Sequence, residues 1–130
     1  MIVFAGDYLA MLGGVLLFHW QHVFDSGYVR DASEWKIRNA AMQGSSIILV
    51  PEPLKYFTLG IEYHHIHHFR TRIPGYQIRE CHETAPAHAF DEVPVLSLSD
   101  MWRSLFLQVW DDSTQSYATF AEVLKAHHAR

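Results

Sequence analysis

The sequence predicts a mainly α-helical protein in which the end of a membrane helix leads into a cytosolic helical cap. Residues 1–18 are almost wholly apolar, with Asp7 as the only charge. At about 1.5 Å per residue this stretch spans about 27 Å, close to the hydrocarbon core of about 30 Å in a bilayer. Apolar side chains also repeat at helical spacing over residues 98–110, and strand signals are weak throughout.

We divide the chain into a membrane helix at residues 1–22, a histidine-rich cytosolic and interfacial region at residues 23–96, and a helical tail at residues 97–130. All ten Lys and Arg residues follow the apolar stretch. The positive-inside rule therefore predicts an integral membrane protein whose histidine-rich part lies on the cytoplasmic side. A buried helix of a soluble domain is the alternative for the first segment.

The region after the first helix predicts short interfacial elements. Residues 25–27 have turn chemistry. Residues 30–42 are polar and of mixed charge, which indicates a helix at the membrane surface. Residues 44–46 break that helix. The apolar run at residues 47–50 is too short to span a bilayer, and we expect it to dip into the headgroup region.

The remaining elements are predicted to be helices joined by one loop. A helix from Pro53 to about Phe69 begins with a proline at its first turn and contains Gly60, which could permit close packing. Residues 83–95 resemble an extended loop. Residues 97–110 predict an amphipathic helix capped by Ser99 or Asp100. Residues 117–125 suggest a last short helix.

Charge and cysteine content exclude several classes of protein. The 130 residues carry a formal charge of -4 and no basic stretch, so we expect no nucleic-acid partner. Cys81 is the only cysteine, which excludes an internal disulfide and fits a reducing compartment.

Histidines supply the most specific signal. His64, His67 and His68 have i, i+3, i+4 spacing and share a helix face, and His19 and His22 repeat the i, i+3 spacing. Neutral imidazole is the commonest side-chain metal ligand. Structural zinc sites favour paired cysteines, and the zincin motif is absent. These five histidines therefore predict a site for a redox metal, and a solvated histidine patch is the alternative.

The other histidines carry weaker predictions. His65 points away from the ligand face and is expected to be either a supporting hydrogen-bond donor or a surface residue. His82 could support the site or lie in a loop. His88 is expected to be an ordinary surface residue, and His127 and His128 to have no functional role.

Several motifs together resemble a known family. They are Phe18-His19-Trp20-Gln21-His22-Val23-Phe24-Asp25, Glu34-Trp35, Gln43-Gly44-Ser45-Ser46, Gly60-Ile61-Glu62-Tyr63-His64-His65-Ile66-His67-His68, Arg72-Ile73-Pro74-Gly75-Tyr76 and Cys81-His82. They are similar to the C-terminal part of membrane fatty acid desaturases, above all the bacterial acyl-lipid type that forms the omega-6 (delta-12) double bond. The HxxHH box and the Arg-Ile-Pro-x-Tyr run after it are the specific motifs.

The resemblance implies a four-helix membrane fold with a cytosolic cap and three histidine boxes that hold two irons. Such a diiron centre uses O2 to introduce a cis double bond into an acyl lipid, with electrons from ferredoxin or cytochrome b5. His64, His67 and His68 match the third box, and His22 matches a recurrent histidine before the cap. Because ligands must be unprotonated, activity is expected to fall at acidic pH.

Two other histidine boxes of the family, and most of its membrane helices, have no counterpart in these residues. The chain therefore resembles a fragment of a larger integral-membrane fold, and we expect it to be inactive as a desaturase by itself. A related histidine-rich hydroxylase or ketolase, and a non-catalytic membrane-surface module, are the alternatives.

Overall fold

The computed structural model describes residues 2–128, so Met1, Ala129 and Arg130 of the predicted first helix and tail lie outside the described residues. The helices are α1 Ile2–His22, α2 Ile37–Gln43, α3 Glu52–Thr58, α4 His64–Phe69, α5 Gly75–Glu83, α6 Leu98–Ser104 and α7 Phe120–His128. The strands are β1 Ile47–Ile48, β2 Val95–Leu96, β3 Val109–Asp111 and β4 Ser116–Ala118. The mainly α-helical fold class is confirmed.

Helix α1 extends through His22, as predicted. Its 21 residues rise about 31 Å, and Val3–His22 is long and apolar enough to cross a membrane. Most of its apolar side chains are exposed. The last turns differ, because Leu17 and Trp20 pack against a buried core of Phe24, Ile48, Leu96 and Met101. Residues 23–128, called the cap below, thus pack their core against the last turns of α1.

The predicted dip of residues 47–50 into the headgroup region is wrong for its first half. Ile47 and Ile48 are buried and form β1, which pairs in parallel with Val95 and Leu96 of β2. Backbone pairing with a segment nearly fifty residues away gives this apolar run partners inside the protein. Only Leu49 remains largely exposed.

The predicted continuous helix over residues 53–69 is also wrong. Leu59 and Gly60 both have positive φ angles, +51° and +87°, and they separate α3 from α4. A Cβ atom at Gly60 would lie 2.9 Å from the carbonyl oxygen of Gly75. Gly60 therefore does permit close packing. It does so in the turn after α3, where the first residue of α5, Gly75, approaches the Gly60 backbone.

The structure differs from the sequence predictions at two further helices. Helix α2 begins only at Ile37, and its residues Ala41 and Met42 are buried, so the predicted surface helix over residues 30–42 is shorter and partly covered. Helix α5 was not predicted at all, since Pro74-Gly75 was interpreted only as the end of the preceding helix. Pro74 instead precedes the first turn of α5, where a proline is tolerated.

The C-terminal part contains a hairpin that the periodicity concealed. Helix α6 ends at Ser104, and residues 109–111 pair antiparallel with residues 116–118. The N-cap of α6 is Ser97, which precedes the predicted Ser99 and Asp100 by less than one turn. The Ser97 hydroxyl accepts from the Asp100 N–H, and the Asp100 carboxylate accepts from the Ser97 N–H. Aromatic residues at 102, 106 and 110 fit both a helical repeat and a helix followed by a strand.

Candidate metal centre

Helix α4 places two histidines one turn apart. His64 and His68 occupy i and i+4 positions of α4, so their side chains lie on one face. A helix of only six residues is not stable by itself. The orientation of α4 therefore depends on the contacts that hold the residues before it.

Backbone contacts fix the segment that enters α4. The Ile48 N–H donates to the Glu62 carbonyl at 3.2 Å, and Ile47 forms an isolated antiparallel bridge with Tyr63. The side-chain amide of the fully buried Gln21 donates to the Ile61 carbonyl at 2.7 Å. The start of α4 is therefore attached both to β1 and to the last turn of α1.

Three imidazoles from two separate segments converge at this point. The Nε2 atom of His22 lies 3.1 Å from Nε2 of His64 and 3.4 Å from Nε2 of His68. One nitrogen from each ring lies within 4.8 Å of the other two. The three rings meet edge to face rather than stacked, with His22 centroids 4.9 Å and 5.0 Å from those of His64 and His68.

This arrangement fits a metal ion. Metal–nitrogen bonds of about 2.0–2.1 Å hold neighbouring ligand atoms roughly 3.0–3.4 Å apart, which matches the two distances from His22. The opposite ring nitrogen of His22, Nδ1, lies 3.4 Å from the Gly44 carbonyl. Such a contact favours the tautomer that carries its proton on Nδ1 and leaves Nε2 free to bind a metal.

The surroundings of His64 and His68 favour their unprotonated forms. Burial, followed by the neighbouring His68, His22, His67 and His65 rings, lowers the pKa of His64 to about 3. Burial also lowers the pKa of His68, and His22 and His67 lower it further. Both imidazoles are therefore neutral at pH 7, the form that coordinates metals. Nδ1 of His64 is buried without a hydrogen-bond partner among the described residues.

The other two predicted ligands lie outside the three-nitrogen group. His67 is partly buried on α4, and its ring stacks near that of His64 with centroids 5.4 Å apart. His19 points to a different element, where its Nε2 donates to the Ser104 carbonyl at 2.8 Å.

His65 is fully buried and not a surface residue. Its Nε2 lies 3.4 Å from Nδ1 of His82, and its ring meets that of Phe90 edge to face at 4.6 Å. His82 in turn is stacked on Tyr63 at 4.1 Å. Burial and the neighbouring His82 lower the pKa of His65 to about 4. The His65–His82 pair thus connects α4 to α5 beside the group of three histidines.

Sequence reasoning missed a buried charge beside the box. The Glu62 carboxylate is only 1% exposed and accepts hydrogen bonds from Thr58 at 2.6 Å and Arg79 at 3.0 Å. It joins the end of α3 to α5 immediately before the first histidine of α4. A single acidic residue next to the histidines was the available signal, but its partner lies 17 residues away and could not be identified locally.

The remaining histidines lie apart from the site. His88 is exposed and its Nδ1 is 2.7 Å from Asp91, as expected of a surface residue. His127 and His128 are exposed on α7, where His128 donates to the Leu124 carbonyl.

Comparisons with known proteins agree with the motifs. The sequence model described as fatty acid desaturase matches residues 1–98. A Bacillus subtilis (strain 168) protein named fatty acid desaturase is 32% identical over 110 residues, which cover 85% of this chain and 31% of that protein. The chain thus corresponds to about a third of the length of this relative. No solved structure matches the chain.

Proposed function

Because the chain belongs to the fatty acid desaturase family, we propose that its converging histidines contribute to the iron centre of an acyl-lipid desaturase. The substrate class is the acyl chain of a membrane lipid, and the product carries a new cis double bond. The observation that carries the proposal is the approach of His22, His64 and His68 through their Nε2 atoms.

The proposed metal ligands of this chain are His22, His64 and His68, with the partly buried His67, whose ring lies 5.4 Å from that of His64, as a further ligand. His19 is left out because its Nε2 already donates to a backbone carbonyl. A bound diiron centre would supply the O2-dependent oxidation that no amino-acid side chain can perform on an unactivated C–H bond.

The side chains of this chain have defined tasks in that reaction. The Gly44 carbonyl orients His22, and partial desolvation favours the neutral forms of the buried His64 and the more exposed His68. The β1 backbone and Gln21 hold the entry of α4, and Glu62 with Arg79 holds α4 against α5. These contacts preorganise the ligands, so that little rearrangement is needed when a metal binds.

Two irons need more ligands than these residues provide. We propose that the remaining ligands belong to parts of a desaturase that have no counterpart in this chain, so the chain alone does not desaturate lipids. A reduced one-electron carrier such as ferredoxin or cytochrome b5 would supply electrons. The apolar α1 would cross the membrane and leave the histidines on the cytoplasmic side.

A chimera tests the proposal. The 110 aligned residues of the Bacillus subtilis desaturase would be replaced by those of this chain in a host that lacks desaturase activity. Gas chromatography of the lipids should detect unsaturated fatty acids from the chimera and from its His88→Gln variant, but none from His64→Ala or His68→Ala. Undiminished product from the His64→Ala chimera would refute the proposal. A hydroxylated product would favour the related hydroxylase instead.

A further inference from the structure

We propose that His19 and Trp20 are positioning residues, which dock the last turn of α1 onto the end of α6 and thereby aim His22 at His64 and His68. This inference rests on the proposed metal site. It assigns a role to a histidine that the site itself does not use.

Each residue of the last turn of α1 has a side-chain contact with a backbone carbonyl elsewhere in the protein. His19 donates to the Ser104 carbonyl at 2.8 Å, and Trp20 donates its indole N–H to the Met101 carbonyl at 3.0 Å. The next two residues, Gln21 and His22, contact the carbonyls of Ile61 and Gly44.

These four contacts determine the rotation of α1 about its axis. Successive helical residues differ by about 100°, so four consecutive side chains cover the whole circumference. The two contacts with α6 oppose a rotation or shift that would draw His22 away from α4. Without them, this turn would lose its hydrogen bonds to α6. It would keep those on the β1 side, from the Gln21 amide, from His22 to Gly44 at 3.4 Å, and from Ser46 to the carbonyls of Trp20 and Gln21 at 2.9 Å and 3.1 Å.

Helix α6 is well suited to receive these donors. The carbonyls of Met101 and Ser104 belong to its last turn, where helical carbonyls lack their usual backbone partner four residues on. Locally, the Met101 carbonyl accepts from the Ser104 hydroxyl at 2.9 Å and the Ser104 carbonyl accepts from the Leu107 N–H at 3.1 Å. Ser104 is completely buried and Met101 is 9% exposed, so both acceptors lie inside the protein. Donors from α1 thus give each of these two carbonyls a second hydrogen bond, which uses its remaining lone pair.

A second set of contacts attaches α6 to the residues that follow His22 in the chain. Nε of Arg103 donates to both carboxylate oxygens of Asp25 at 3.0 Å, and Nη2 donates to Glu122 at 3.1 Å. The Tyr117 N–H also donates to the Asp25 carbonyl. The C-terminal part therefore contacts the chain both before and after His22.

The family match does not include this contact. It ends at residue 98, where α6 begins. The 110 residues aligned with the relative do extend over α6, but the docking of α6 on His19 and Trp20 is inferred from the structure of this chain.

The test uses the whole 130-residue chain in detergent, with Co²⁺ as a spectroscopic probe. His19→Leu removes the donor, whereas His19→Gln can place an amide N–H near the position of Nε2. His19→Leu and Trp20→Phe should each weaken Co²⁺ binding about 10-fold and alter the ligand-field bands, as expected for loss of a contact that orients a ligand. His19→Gln and the control His88→Gln should bind Co²⁺ like the unsubstituted chain. Thermal melts identify any variant that fails to fold.

NMR of the metal-free protein tests the positioning role even if Co²⁺ does not bind. In protein labelled with ¹⁵N-histidine, the ring resonances of His22, assigned from their loss in His22→Gln, should shift in His19→Leu and stay in place in His19→Gln. Unchanged His22 resonances in His19→Leu would overturn the positioning role, as would a His19→Gln variant as defective as His19→Leu. Equal Co²⁺ affinity of His64→Ala and the unsubstituted chain would instead refute the proposed metal site.

Discussion

Nε2 of His22 lies 3.1 Å from Nε2 of His64, although 42 residues separate them in the chain. Two ring nitrogens that approach this closely must share one proton or one metal ion, because two lone pairs repel each other. His68 adds a third nitrogen at 3.4 Å. This relationship, rather than the number of histidines, supports the proposed metal site.

A double-mutant cycle on this pair should show strong coupling. Loss of a contact that supports a ligand typically lowers metal affinity about 10- to 100-fold. His22→Ala and His64→Ala remove ligands themselves, so each should lower Co²⁺ affinity by more than that. The double variant should lose little more than either single variant, because the ligands act as a set. Competition titrations with a chelator measure the affinities, and His88→Gln is the control. Additive losses would contradict a shared site.

Replacement of Glu62 should destabilise the cap. Glu62→Gln removes the buried charge that Thr58 and Arg79 bind, and we expect a loss of about 1–3 kcal/mol of unfolding free energy. Urea unfolding in detergent measures it. Glu52→Gln is the matched control, since its partner Lys55 forms an exposed pair that contributes little. An equal effect of both substitutions would show that burial of Glu62 is irrelevant.

Gly60→Ala should destabilise the protein by at least about 1 kcal/mol. Its φ of +87° is unfavourable for alanine, and the new Cβ would contact the Gly75 carbonyl. Gly14→Ala is the control, because nothing lies within 4 Å of a Cβ at that helical position. It should be neutral or slightly stabilising. Thermal denaturation followed by circular dichroism compares the two variants, and a neutral Gly60→Ala would contradict the role of this turn.

Stability of the metal-free protein should fall as the pH decreases from about 6.5 to 4. The pKa of His65 is about 4 in the folded protein and ordinarily 6.5, so in this range the unfolded chain binds the additional proton. The stabilisation is complete above pH 6.5 and is lost as the pH falls, by up to about 3 kcal/mol for this residue.

His65→Phe tests that assignment, since it keeps a ring beside Phe90 and removes the titration. Urea unfolding at several pH values should show a smaller slope for His65→Phe than for the unsubstituted chain. His88→Gln should keep the original slope. Identical slopes in all three proteins would mean that His65 does not titrate as its burial implies.

Local patterns determined the parts of this protein that depend on neighbouring residues. The apolar run predicted α1 through His22, and the i, i+4 spacing placed His64 and His68 on one face. The same reasoning failed at Gly60 and at residues 105–111, where helical periodicity continues across a turn or into a strand.

Only the tertiary structure decided which histidines meet. His19 and His22 have the same spacing as His64 and His67, yet one of the first pair faces α4 and the other donates to α6. Spacing defines a face of a helix, but the packing of distant segments defines what that face contacts. The convergence therefore depends on α6, β1 and Gly60, whose contacts lie tens of residues away and leave no local periodicity.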